Sequence, residues 1–344
     1  MPAAISHYLL ARRVLDDPAF DKSRSFSQNA FLWGAQGPDF FFTHRFFPWQ
    51  KGESLKEIGE RLHQTPPSSI FDFAQEYENG ERGNDVSLSY VLGFLCHYAL
   101  DSAAHPFVNY SAEMLHELVK PSTVETCHHE VESNLDVVLL RYERAELPTD
   151  FSLKRAVPRD EGVKQEMASF YQSLLRRLYG TQVSQEAVAQ AVEDCRTAFG
   201  WMTDRTTLKK KILLRVEKGK LPTLSCHVRS MTEETDFDYS NVLHREWQWP
   251  METGELRTES YLDLYEQAVE LAKAFGGEDD SHRFVNGILG RLARLSESEQ
   301  GVAAEAPTEE ASEGVAEAAP AEIPTMGILS DFKPAEADSA ENVE

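Results

Sequence analysis

The segment of residues 85–104, DVSLSYVLGFLCHYALDSAA, is apolar on most of its helical circumference and yet carries histidine and aspartate. Such a helix is expected to be buried, because an exposed helix keeps a polar face. His97, Asp101 and His105 follow at intervals of four residues, so they lie in one stripe along the helix. Unpaired polar groups in a core cost several kcal/mol each. The chain must therefore fold so that partner groups or bound ions satisfy this stripe.

A second helix with metal-binding residue types is predicted at residues 126–144, TCHHEVESNLDVVLLRYER. His128 and Glu132 are one turn apart, and an imidazole and a carboxylate at this spacing can chelate one divalent ion. Pro106 disfavours helical geometry at His105. We therefore expect His105 at the carboxyl-terminal end of the first helix, where its ring can turn to a different ion.

Three further segments supply candidate ligands. Asp39 follows the Gly-Pro turn of GAQGPDFFF, which lets the backbone approach a neighbour and directs the carboxylate inward. His63 ends a short predicted helix at 54–63, and His7 lies on a first helix at 4–15. From the residues alone two interpretations stay open: the histidines and acids pair with one another, or they bind a metal cluster.

The rest of the chain predicts an all-α fold. Further amphipathic helices are predicted at 161–179, 184–201, 260–275 and 281–295, with no alternating strands and a long irregular connection at 218–256. Residues 296–344 hold 13 acids and one base, and are rich in Ala, Glu, Pro and Ser. Such a composition predicts disorder. We expect one helical domain at 1–295 and an acidic tail at 296–344, with a short apolar patch that can dock a protein partner.

Charge and hydropathy exclude some functions. The net charge of −23 argues against duplex nucleic acid as a partner, because phosphate binding depends on Lys and Arg. No run reaches the roughly 18–20 apolar residues of a membrane span, and the amino-terminal region has no leader pattern. The four cysteines form no C-x-x-C pair, as is typical of a reducing compartment. We expect a cytoplasmic protein.

The order of these motifs resembles a known family. His7, the G-x-x-G-P-D motif at 34–39, His63, GFLCHYALDSAAHP at 93–106 and HHEVE at 128–132 are similar to the zinc-dependent phospholipase C family, which shares a superfamily with fungal single-strand nucleases. The resemblance covers roughly residues 1–140. It implies an all-α fold and a centre of two or three zinc ions.

The resemblance also implies how the ligands divide. It implies one zinc bound by Asp39, His63, His97 and Asp101. It implies a second zinc bound by His105, His128 and Glu132. A third zinc would take His7, a shared Asp101 and the amino-terminal residue. This sequence departs from the family at the last position, because it begins Met1-Pro2 where the family enzymes begin with tryptophan.

The roles implied are those of a phosphodiester hydrolase. Asp39 would orient or deprotonate the attacking water. From its position alone, one turn beyond Glu132, Asp136 could orient a ligand imidazole. The substrate would be a phospholipid or a related phosphoester. Two alternatives stay open: a nuclease or phosphomonoesterase on the same centre, and a metal-stabilised intracellular scaffold without activity. The aromatic run at 40–49 would either line a substrate entrance or pack in the core.

Overall fold

The computed structural model describes residues 4–18, 20, 26–47, 49–229 and 237–276. These residues are mostly helical, which confirms the predicted all-α class. The helices are α1 (Ala4–Asp16), α2 (Gln28–Gly34), α3 (Lys56–His63), α4 (Pro67–Glu78), α5 (Asp85–Leu118), α6 (Val124–Arg144), α7 (Glu161–Tyr179), α8 (Gln185–Met202), α9 (Leu208–Val216) and α10 (Tyr261–Gly276). Short 3₁₀ helices cover Gly37–Thr43, Leu153–Arg155 and Ser225–His227. The predicted helix at 281–295 and the tail at 296–344 lie outside the described residues, so the boundary at 295 stays a prediction.

Helix α5 is the centre of the fold and packs against α2, α6 and α10. It begins with a capping box, in which the Asn84 side chain accepts from the amides of Val86 and Ser87 while the Ser87 hydroxyl accepts from the Asn84 amide. The predicted end near Ala104 is wrong, because α5 continues through Pro106 to Leu118. A proline inside a helix costs roughly 3 kcal/mol. Burial of apolar residues beyond it, among them Phe107 and Leu115, offsets that cost.

Two glycines let α2 and α5 touch along their backbones. A Cβ on Gly34 would lie 2.0 Å from the carbonyl oxygen of Tyr90, and a Cβ on Gly93 would lie 2.0 Å from that of Phe31. No side chain fits at either position, so the helices approach as closely as their main chains permit. Because α2 and α5 lie so close together, the chain after α2 passes over the face of α5 that carries His97.

Three α-helices and two short strands of the described residues were absent from the sequence prediction. Helices α2, α4 and α9 were not expected, and α4 begins with Pro67 at its first position, where a proline needs no amide partner. The segment predicted as irregular contains two-residue strands β1 (Trp247–Gln248) and β2 (Leu256–Arg257), which pair antiparallel. Among the described helices, none is long and apolar enough to cross a bilayer.

Candidate metal centre

The structure brings all eight predicted ligands together in the interior, where α1, α3, α5, α6 and the 3₁₀ helix Gly37–Thr43 meet. Six are buried and two, His105 and His128, are partly exposed. Three combinations have ligand atoms within 4.8 Å of one another: His7, Asp39 and His97; His63, His97 and Asp101; and His105, His128 and Glu132. Donors bound to one tetrahedral zinc at about 2.1 Å lie roughly 3.4 Å apart. The side chains are therefore near the spacing that a shared ion requires.

The inner group consists of Asp101 and four residues around it, namely His7, Asp39, His63 and His97. The Asp101 carboxylate lies 3.2 Å from His7 Nε2 and 3.2 Å from His97 Nε2. His63 Nε2 lies 2.8 Å from Asp39 Oδ1, and the His7 and His97 rings stack at 4.6 Å between centroids. Asp39 belongs with His7 and His97 as readily as with His63. The geometry therefore supports the predicted set of five, while leaving open how they divide between two ions.

The outer group contains His105, His128 and Glu132. His128 Nε2 lies 3.3 Å from Glu132 Oε1, as the four-residue spacing predicts. His105 was expected at a helix end, which is wrong, because it lies inside α5 in register with Asp101. From there its Nδ1 is 3.4 Å from Asp101 Oδ1 and its Nε2 is 3.9 Å from Glu132 Oε1. One ring thus stands between the inner and outer groups without leaving the helix.

Several buried atoms of the centre lack a hydrogen-bond partner within the described part of the chain. They are both ring nitrogens of His97, Nδ1 of His7, Nδ1 of His128 and Oδ2 of Asp101. His97 Nε2 and Asp101 Oδ2 lie 3.2 Å apart, but without the geometry of a hydrogen bond. Buried polar atoms in native proteins are almost always satisfied, and leaving one unpaired costs about 1–3 kcal/mol. Mutual pairing therefore does not complete this cluster. The cluster therefore offers nitrogen and oxygen atoms with free lone pairs, and such a set of ligand atoms fits Zn²⁺.

The charge states of the centre suit cation binding. Burial lowers the pKa of His97 to about 4 and also lowers the pKa of His105, so both rings are neutral at pH 7. Burial opposes ionisation of Asp101, but His105, His97 and His7 hold its pKa well below the ordinary value. Burial also opposes charge on His63 and His7, yet hydrogen bonds to Asp39 and Asp101 raise the pKa of these two rings, so a cation must compete there with a proton. Neutral imidazoles and ionised carboxylates are the forms that ligate metals.

The turn before Asp39 has the steric role that the sequence suggested. Gly37 has a φ of +53°, and a Cβ there would lie 2.3 Å from Cδ2 and 2.6 Å from Nε2 of His97. The backbone therefore passes directly over the imidazole. Below it, Tyr90 donates a hydrogen bond to the Gly37 carbonyl at 3.3 Å. His63 is held by a 2.7 Å contact between its Nδ1 and the Gly59 carbonyl, which leaves Nε2 facing the centre.

Asp136 does not orient an imidazole, contrary to the sequence prediction. It is fully buried and accepts hydrogen bonds from the amides of Ile5 and Ser6 at 3.1 and 2.8 Å, and from the Ser6 hydroxyl at 2.9 Å. The Arg229 guanidinium pairs with the same carboxylate. Asp136 therefore fixes the first turn of α1 up to Ser6, the residue before His7. The carboxylate does not reach an imidazole because the first turn of α1 packs against it, and the amides of that turn have no partner within the helix.

His227, which was not among the predicted site residues, joins the outer rim of the centre. Its ring lies 4.6 Å from that of His129, whose Nδ1 is 3.5 Å from Glu132 Oε2. His227 reaches this place from the 3₁₀ helix Ser225–His227, which packs on α6. No local spacing announces it. In the aromatic run at 40–49, Phe40 and Phe41 are buried in the core, as one of the two interpretations expected, whereas Trp49 is exposed.

The described residues thus form an all-α body with a buried cluster of histidines and carboxylates that could hold metal ions. Residues 6–182, about half of the chain, match the family described as zinc dependent phospholipase C. The chain belongs to this family, and the matched segment contains all eight predicted ligands. The family name implies zinc as the bound metal.

Two curated proteins share short segments with the chain. Transcription antitermination protein NusB of Acinetobacter baylyi (strain ATCC 33305 / BD413 / ADP1) is 54% identical over 41 residues, which is 12% of this chain and 27% of that protein. NusB of Azoarcus sp. (strain BH72) is 50% identical over 46 residues, 13% of this chain and 29% of that protein. The chain thus spans less than a third of these relatives. No solved structure matches it.

Proposed function

We propose that this protein is a zinc-dependent phosphodiester hydrolase, which cleaves a phospholipid or a related phosphoester with a centre of two or three zinc ions. The observation that carries the proposal is the set of buried, unpartnered donor atoms on His7, His97, Asp101 and His128. They face one another in a family named for zinc and phospholipase C. The inner group supplies five ligand residues and the outer group three, which is enough for more than one ion.

The proposed ligands come from separate parts of the chain, which holds them rigidly. Asp101 and His97 are one turn apart on α5, the central helix, while His128 and Glu132 are one turn apart on α6. His105 lies between the two groups and limits how far the ions can separate. Zinc ions held in this way would act as Lewis acids that activate water and stabilise negative charge on the phosphoryl oxygens.

Asp39 is the proposed catalytic residue. Its carboxylate is almost fully buried and lies 2.8 Å from His63 Nε2, and burial of this acid is countered by His97 and His63, which lower its pKa. The carboxylate is thus ionised at neutral pH. An ionised carboxylate beside the ions can accept a hydrogen bond from the attacking water and orient it for in-line attack. The turn at Gly37 keeps Asp39 at the edge of the His97 ring.

The test combines metal analysis with a substrate screen. Protein purified without added zinc should contain two or three zinc ions per chain. It should hydrolyse a chromogenic phosphocholine ester, and both chelation and His97→Ala should abolish this activity. His116→Ala is the matched control, because His116 lies on the same helix and contacts Ser122 rather than the centre. Its activity should equal that of the wild type.

The alternative functions give different results in the same screen. A clear preference for single-stranded nucleic acid over phosphocholine esters would replace the phospholipase proposal with a nuclease. Release of phosphate from monoesters alone would indicate a phosphomonoesterase. Bound zinc without turnover of any phosphoester would leave the metal-stabilised scaffold. A cytoplasmic location and a protein partner for the tail remain predictions, since the described residues carry no test of either.

A further inference from the structure

Helix α9 reverses the ordinary pattern of a surface helix. An amphipathic helix on a globular protein buries its apolar stripe and exposes its charges. In α9 the one buried residue is Lys210, whereas Leu208, Ile212 and Val216 are 57%, 52% and 63% exposed. These three follow at four-residue intervals and form a continuous apolar stripe that faces solvent. Leu214 is also exposed, on another face of the helix.

Polar contacts attach α9 to the body in this inverted orientation. Lys210 Nζ donates to the Ser225 carbonyl at 2.7 Å and lies 3.0 Å from Glu130 Oε2. The Lys210 amide also donates to the Asp204 carboxylate at 2.9 Å. Breaking a buried charge pair of this kind is costly, so the apolar stripe cannot turn inward without losing these contacts. The exposed stripe is thus a property of the folded state.

The exposed apolar surface continues beyond the helix. Of the fifteen large apolar side chains that are exposed in the described residues, six lie between residues 208 and 224. Trp49, the most exposed of the fifteen at 73%, stacks on Phe47 with ring centroids 4.7 Å apart. Phe47 packs in turn against Trp201, which lines a groove beside α9. Apolar patches of this extent mark interaction surfaces.

The same surface is basic although the whole chain is acidic. Residues 205–224 hold seven bases and one acid, in a chain whose net charge is −23. Five of the bases are exposed, namely Arg205, Lys211, Arg215, Lys218 and Lys220. The single acid, Glu217, is engaged by the amides of Leu224 and Ser225. At physiological salt, charges act over about 8 Å, so a partner close to α9 meets this local positive charge rather than the net charge.

We propose that α9 and the residues around it are a docking surface for an anionic phospholipid bilayer. Leucine, isoleucine and valine beside lysine and arginine are the pattern of helices that lie in the membrane interface, and tryptophan is enriched at that depth. The acidic tail would match the charge but offers few apolar groups to the stripe, whereas a bilayer satisfies both. The inference rests on the proposed function only in naming lipid as the partner.

The surface is also connected to the metal centre. Glu130, which pairs with Lys210, lies on α6 between His128 and Glu132. The 3₁₀ helix Ser225–His227, which accepts the Lys210 hydrogen bond, carries the ring that packs against His129 at 4.6 Å between centroids. Docking through α9 would therefore bring the outer group toward the lipid surface. Helix α9 lies outside the residues matched to the family, 6–182.

The experiment is sedimentation of the full chain with lipid vesicles, which needs no turnover. Vesicles of phosphatidylcholine with 30% phosphatidylglycerol should bind the wild type at least about tenfold more tightly than pure phosphatidylcholine vesicles, since each basic residue near an anionic surface contributes to binding. Lys211→Glu/Arg215→Glu should lose this binding. Arg144→Glu/Arg176→Glu changes the net charge equally on other exposed helix positions and should retain it. Ile212→Gln should also weaken binding.

Other occupants give distinct results that overturn the proposal. Equal binding of both double variants would mean that charge alone acts, without a docking surface. Absence of vesicle binding by the wild type together with binding by a chain lacking residues 296–344 would identify the acidic tail as the occupant, and lipid-independent dimers would identify a second copy. All variants should hydrolyse a water-soluble phosphoester like the wild type. If the wild type binds vesicles but hydrolyses nothing, the docking surface stands and the proposed enzymatic function fails.

Discussion

Replacing Gly37 by alanine tests whether the turn over His97 builds the metal centre. A methyl group there would lie 2.3 Å from Cδ2 of His97, where ordinary contacts begin near 3.4 Å, so the ring must move by about 1 Å. The His7 ring, stacked at 4.6 Å, and Phe94, at 5.8 Å, lie in its way. Zinc sites tolerate errors of about 0.2 Å in ligand distance. We therefore expect a loss of zinc affinity of about 10–100-fold.

The backbone contribution can be separated with a second glycine. Alanine in the left-handed region costs roughly 1–2 kcal/mol, and Gly37 has a φ of +53°. Gly180 has a φ of +65°, and a Cβ there meets no atom within 4 Å. Gly180→Ala should therefore lose a similar free energy of unfolding but keep its zinc. Gly37→Ala should lose both.

The assay is zinc binding against a competing chelator, with urea unfolding of both variants in the absence of metal. If Gly37→Ala bound zinc with the stoichiometry and affinity of the wild type, the reasoning would be refuted, because a displaced His97 would then not be a ligand. If both variants lost zinc equally, backbone strain rather than the contact with His97 would be the cause.

Two further predictions concern acids outside the centre. Asp136→Asn should lower the free energy of unfolding by about 3–5 kcal/mol, because it leaves Arg229 buried without its carboxylate and loosens the start of α1; a loss below about 1 kcal/mol in urea unfolding would contradict this role. Burial raises the pKa of Glu78 from 4.5 to about 7. The folded state thus binds this proton more tightly than the unfolded chain, so stability falls as the pH rises between those values. Glu78→Gln should reduce the stability difference between pH 5 and pH 8 by on the order of 1 kcal/mol, since the side chain is only partly buried, and an unchanged pH profile would exclude Glu78 as its source.

The residue types and spacings of the candidate centre were available from the sequence. A helix places side chains four residues apart on one face whatever surrounds it, so the pairs His97 with Asp101 and His128 with Glu132 required no tertiary information. The burial of α5 followed from its apolar circumference. The identity of the family followed from the order of these motifs, and the match over residues 6–182 confirms it.

Tertiary packing decided how these local pairs combine. The sequence indicated that the helix would end before Pro106, but the core beyond the proline retains it, so His105 stays between the two groups. Asp136 lies one turn beyond Glu132, which predicted an imidazole as its partner. Its carboxylate oxygens instead accept hydrogen bonds from the amides of the first turn of α1. Helical spacing is set within one turn, whereas the partner of a carboxylate depends on which distant helix crosses it. That crossing is fixed by contacts such as Gly34 against α5, between residues far apart in the chain.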